Sequence, residues 1–126
     1  MITGPQSPSV LSNMPVSIEQ HVEWITECIA YMQRHKLTTI EATPRAQEQW
    51  VAHVAEIAGA TLMTQANSWY MGANIAGKPR QFLPYLCPEG LGGYRKKCAE
   101  IAEKNYEGFV FEGISRTGIT ESQAAE

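Results

Sequence analysis

The chain has 126 residues, 10 Lys+Arg against 13 Asp+Glu for a formal net charge of −3, and 44% hydrophobic residues. That length suits one domain with a real core and is too short for two comfortable ones. Lys78 with Arg80 and Arg95-Lys96-Lys97 read as solvated faces and not a dense basic stripe, which argues against a nucleic-acid binder, and no apolar run approaches the roughly 18 residues of a membrane helix.

Met1-Ile2-Thr3-Gly4-Pro5 reads as the end of a strand entering a tight turn. A strand without a partner there would be an orphan edge, so the sequence is expected to enter in the middle of something larger. No charged segment followed by an apolar one marks a secretory signal. Residues 4–16 hold three prolines and a glycine, which favour turns over helix. Ser17 with Gln20 then satisfies a capping box, opening a helix expected from about Ile18 to about His35. Ile18, Val22, Ile25, Ile29 and Met32 repeat at helical spacing, widened by Trp24, Cys28 and Tyr31, so this helix is expected to be mostly buried.

Leu37–Ala42 is a short extended candidate. Thr43 followed by Pro44 is a second helix start, with Ala46, Trp50, Val54, Ile57 and Ala58 as its apolar face and Gly59 as its stop. After a brief helical turn at Thr61-Leu62-Met63 comes Ser68-Trp69-Tyr70-Met71-Gly72-Ala73-Asn74-Ile75-Ala76-Gly77-Lys78-Pro79-Arg80, which has neither helical nor strand periodicity. An indole and a phenol give broad, rigid contact area, and the glycines give backbone freedom. The segment reads as a loop built to close over a flat ligand. Phe82–Leu86 contains a proline and so reads as an edge strand or irregular segment. Gly90-Leu91-Gly92-Gly93 reads as a turn, about Tyr94–Lys104 as a third helix with Tyr94, Cys98, Ile101 and Ala102 inward, and Phe109-Val110-Phe111 as a short strand. Residues 113–126 are polar and free of aromatics, and are expected to form a disordered tail. The fold class is therefore mainly α, about three helices with a few short strands.

Chemistry is sparse. His21, His35 and His53 have no metal-binding spacing, and Cys28, Cys87 and Cys98 form no Cys-x-x-Cys pair, so a local zinc site is not expected. The odd thiols are expected to be free, as in a reducing cytoplasm. No nucleophile-elbow motif is present, and Gly90-x-Gly92-Gly93 lacks both the full glycine pattern and the leading strand of a dinucleotide turn. Glu19 and Glu23 stand at i, i+4, the usual solvated arrangement.

In order along the chain, Gly4-Pro5-Gln6-Ser7-Pro8, Ser12-Asn13-Met14-Pro15-Val16-Ser17-Ile18-Glu19-Gln20 with Trp24-Ile25, Ser68-Trp69-Tyr70 with Gly72-Ala73-Asn74-Ile75 and Gly77-Lys78-Pro79, then Tyr94-Arg95 and Tyr106-Glu107-Gly108-Phe109 resemble the C-terminal portion of a Baeyer–Villiger monooxygenase. These are FAD- and NADPH-dependent enzymes that insert oxygen beside a ketone, giving an ester or lactone. The resemblance implies a C-terminal part of an α/β flavoprotein with two dinucleotide-binding domains. It covers about residues 1–112, including a cofactor-sensing loop at 64–81. It further implies that Ser9, Val10 and Leu11 line the ketone pocket, that Asn13 and Met14 lie against the flavin, and that Trp69 meets the nicotinamide cofactor. Ala76 stands where the family usually has proline, and Leu86–Gly90 is longer than in many relatives. The family's glycine-rich dinucleotide turns, its histidine-bearing fingerprint and its catalytic arginine have no counterpart here, so no catalytic residue is assigned and the piece is not expected to work alone. The upstream FAD and NADP domains would be its partners. The other reading is a non-catalytic helical module that binds a partner or small apolar ligand through the Trp69 loop.

Overall fold

The computed structural model describes residues 2–8, 12–114 and 120–124, with backbone alone at 114 and 120–124. The element order is α1 (Met14–His35), β1 (Leu37–Ala42), α2 (Pro44–Gly59), single 3-10 turns at Leu62–Gln65 and Trp69–Met71, α3 (Gly90–Glu103), β2 (Phe109–Ile114) and β3 (Thr120–Ala124). The architecture is mainly helical, as the periodicity implies.

Helix α1 begins earlier than the Ser17 capping box suggests. Asn13 is its N-cap, its side chain accepting from the Val16 N–H at 3.5 Å, and Pro15 falls in the first turn. Proline costs nothing there because that N–H has no helical partner anyway. Ser17 is instead fully buried, its hydroxyl donating to the Asn13 carbonyl at 3.2 Å. Lys36, in the left-handed conformation at φ 57°, closes the helix and turns the chain into β1.

Burial on α1 also differs from expectation. The inward face carries Ser17, Gln20, His21 and Cys28, while Ile18, Val22 and Ile29 are 41%, 43% and 50% exposed. Periodicity shows which residues share a stripe, not what covers it.

Helix α2 keeps the expected limits: Thr43 caps it through the Ala46 N–H at 3.2 Å, and Val54 and Ala58 are buried. Helix α3 starts at Gly90, so the glycine cluster expected to be a turn is its first turn. Gly90 enters at φ +71°, a backbone conformation that glycine adopts freely.

β1 pairs antiparallel with β2, and β2 with β3, in the order β1-β2-β3. Of the 113–126 segment read as a disordered tail, residues 120–124 thus run along β2, since a backbone ladder is indifferent to polar side chains. A core of Cys28, Tyr106 and Phe111, flanked by Trp24, Tyr31, Met32, Leu37, Ala102 and Phe109, ties α1 and α3 to the sheet. A second cluster of Ala58, Met71 and Phe82 with Met63, Tyr70 and Leu86 anchors the aromatic loop to α2. Among the described residues no helix is long and apolar enough to cross a membrane.

Candidate functional site

The Gly4–Pro8 turn and the aromatic loop come together through the Phe82–Leu86 segment. The Leu83 N–H donates to the Tyr70 carbonyl at 3.0 Å, and the Leu83 carbonyl accepts from the Gln6 N–H at 2.6 Å. The Tyr85 N–H donates to the Ser7 carbonyl at 3.0 Å, completing a parallel bridge between Pro8 and Tyr85. This bridge gives the irregular 82–86 run the edge pairing that its proline allows on one side.

Between these segments lies a cavity of about 270 Å³, lined by Thr3, Gly4, Pro5, Ser7, Pro8, Met14, Trp69, Tyr70, Leu83 and Pro84. Its surface is mainly hydrocarbon and aromatic, the wall expected for a flat ring system. Trp69 is 59% exposed and stacks on Tyr70 with ring centroids 4.0 Å apart at 33°. It is therefore not a buried plug but an indole presented at the cavity rim. Met71, in the same turn, is buried and pins the loop from below. Gly72 ends that turn at φ +68°, with the Pro79 carbonyl 3.6 Å from where a Cβ would stand. Arg80 donates to the Asn67 side-chain carbonyl across the loop's base.

Of the expected site residues, the structure brings Met14 and Trp69 into one cavity. Asn13 is adjacent but uses its side-chain oxygen as the α1 cap. Ser9, Val10 and Leu11 lie outside the described residues, directly after the bridge at Pro8.

Two residues behind the turn were read from the sequence only as helix-face or lone histidine positions. Trp50 of α2 donates its indole N–H to the Gln6 carbonyl at 3.1 Å and packs on Tyr85 at 5.0 Å. His21 of α1 reaches the Tyr94 hydroxyl at 3.0 Å and the Thr3 hydroxyl at 3.2 Å. A tryptophan on an apolar face announces burial, but nothing in the spacing announces the partner of its N–H. In Trp50→Phe the Gln6 carbonyl loses this donor. The expected cost is about 1–2 kcal/mol of stability, read as a lower urea midpoint at unchanged slope.

Burial lowers the pKa of His21, and it raises that of Tyr94 through desolvation first and Cys98 second. Tyr94 thus keeps its proton, and the imidazole is held neutral. The folded state binds the His21 proton more weakly than the unfolded chain does. Stability contributed by neutral His21 is therefore present above the ordinary histidine range near 6.5 and is lost as pH falls through the lower folded value. His21→Gln should flatten this acid limb below about pH 6.5 in thermal melts, while a limb of the original steepness would mean another group carries it.

Cys28, Cys87 and Cys98 are free thiols, and burial pushes each pKa up, so none is a thiolate nucleophile at neutral pH. Among the described residues there is no cluster of three or more His, Cys, Asp or Glu able to hold a metal ion. Nor does a strand lead into a glycine-rich turn and helix: α3, opened by Gly90, follows the proline-interrupted 82–88 run. The residues present fit one wall of a planar ring, and none of them forms a pyrophosphate cradle.

No family model matches the chain. Acetone monooxygenase (methyl acetate-forming) of Gordonia sp. (strain TY-5) is 43% identical over 107 residues, 84% of this chain and 20% of that protein. Cyclohexanone 1,2-monooxygenase of Acinetobacter sp. is 43% identical over 109 residues, 86% of this chain and 19% of that protein. Among solved structures, cyclohexanone monooxygenase from Rhodococcus sp. Phi1 bound to NADP+ superposes with a TM-score of 0.82 at 42% identity, over 90% of this chain and 21% of that one. The chain thus spans about a fifth of the length of the proteins it matches.

Proposed function

We infer that this chain, which is related to the Baeyer–Villiger monooxygenases over about a fifth of their length, supplies the substrate-pocket turn and the coenzyme-facing loop of such an enzyme. The whole enzyme would convert a ketone, O2, NADPH and a proton into an ester or lactone, NADP+ and water. FAD, when bound, supplies the oxygen-transfer chemistry, with electrons from NADPH. Residues 1–112 act as one unit in this reading, and 64–81 as the cofactor-sensing loop.

The observation that carries the proposal is a single cavity lined by both Met14 and the exposed indole of Trp69. Met14 offers a polarizable surface to a ring, and Asn13 beside it fixes the backbone by capping α1. Trp69 stands where closure of its loop would cover a nicotinamide and shut water out. Ser9, Val10 and Leu11, which follow the bridged Pro8, face the ketone in this reading. The phosphates of FAD and NADPH fall to the upstream domains, the partners of this unit. A cytoplasmic setting fits its free thiols. Similarity at 43% over 84% of the chain weighs against an unrelated helical module.

The test joins the full chain in frame behind the first four-fifths of the Gordonia acetone monooxygenase. The joined enzyme should hold FAD and oxidise NADPH in a ketone-dependent manner, with ester or lactone as product. Tight FAD binding with NADPH oxidation indifferent to every ketone offered would overturn the reading.

A further inference from the structure

The least expected surface of the molecule is on α1. Ile18, Val22, Ile25 and Ile29 fall at i, i+4, i+7 and i+11, one continuous stripe. Ile18, Val22 and Ile29 are 41–50% exposed, while the polar Ser17, Gln20 and His21 take the inward face. A soluble helix normally turns aliphatic residues inward. Beyond the stripe on its other side stand Glu19, Glu23 and Glu27, all exposed, of which Glu23 pairs with Arg95 at 2.5 Å.

We propose that the Ile18–Val22–Ile29 stripe is a docking face, covered by the rest of a Baeyer–Villiger monooxygenase polypeptide: an apolar surface with basic groups on the side of Glu19 and Glu27. The proposal rests on the reading above. Three observations select this occupant. About four-fifths of each relative lies outside the matched region, so each has a large remainder of the same polypeptide available to cover this face. Three half-exposed aliphatic side chains on one helix fall far short of the roughly 800 Å² per partner of a standard dimer, whereas a small contact suffices within one polypeptide, where effective concentration is high. The unpaired acids flanking the stripe repel their own kind, so a second copy of the same face would bring Glu19 and Glu27 against like charges.

The experiment reads accessibility in the joined enzyme, with Val22→Cys and Ile29→Cys made singly and each compared with the same variant unfolded in urea. Alkylation is followed peptide by peptide by mass spectrometry, so the native cysteines do not interfere. Thiols introduced at positions 22 and 29 should react about a hundredfold more slowly in the folded enzyme than in the unfolded one, as for residues closed within a folded unit. Equal rates in the folded and unfolded states at both positions would overturn the proposal. Protection that disappears on dilution, together with a dimer in sedimentation, would also overturn it by assigning the face to a second copy. Protection in a joined protein that holds FAD but ignores ketones would sustain the docking face while sinking the functional reading.

Discussion

Phe111→Ala is expected to cost about 3–5 kcal/mol, a large share of the roughly 5–15 kcal/mol that holds a domain of this size together. Phe111 is 4% exposed and is enclosed by the rings of Tyr31 at 5.6 Å and Tyr106 at 6.0 Å. Cys28 of α1 belongs to the same cluster. Truncation leaves a cavity that α1, α3 and the sheet all border, and elements joined on several sides collapse poorly into such a gap. Urea unfolding measures the loss as a shift of the midpoint. Ile29→Ala is the matched control. It lies on the exposed α1 stripe, so its cost in this chain should stay within about 0.5 kcal/mol. Comparable losses from the two variants would mean that α1 buries the aliphatic stripe after all.

Trp69→Ala in the joined enzyme should lower kcat/KM for NADPH by about 10–100-fold, the range lost when a well-placed indole is truncated at a binding surface. FAD content should not change, because Trp69 is 59% exposed and its turn is held by buried Met71 instead. Trp69→Phe keeps a flat ring and should recover part of the loss. Steady-state kinetics with NADPH varied at saturating ketone separates a rise in KM from a fall in kcat. Unaltered kinetics in the alanine variant would remove Trp69 from the coenzyme site.

Local signals were the legible part of the fold. Thr43-Pro44 and Gly59 bound α2 because a cap and a fixed φ act on their own residues. Leu37–Ala42 and Phe109-Val110-Phe111 were readable as strands, whereas their pairing, and the extension of β2 to Ile114 into the segment read as a tail, depend on distant contacts. The start of α1 was hidden because proline reads as a breaker unless it is known to sit in the first turn. Gly90–Gly93 read as a turn because glycine has poor intrinsic helix propensity, which tertiary packing overrides. For the site, Trp69 stood out as an aromatic on a glycine-punctuated segment. The hydrogen bonds of Trp50 and His21 did not, because each joins residues far apart in sequence.

The backbone of Leu83 serves two masters: its amide is held by Tyr70 in the aromatic loop, and its carbonyl holds Gln6 in the turn before Ser9. In the proposed enzyme, coenzyme closure and substrate shape are therefore linked through one residue. On that proposal, a joined enzyme selected at 9–11 for a bulkier ketone should have a different ideal sequence at 69–72, so mutational gains from the two regions should show epistasis when combined. Libraries that vary both segments together would reach combinations that stepwise selection of either one passes over.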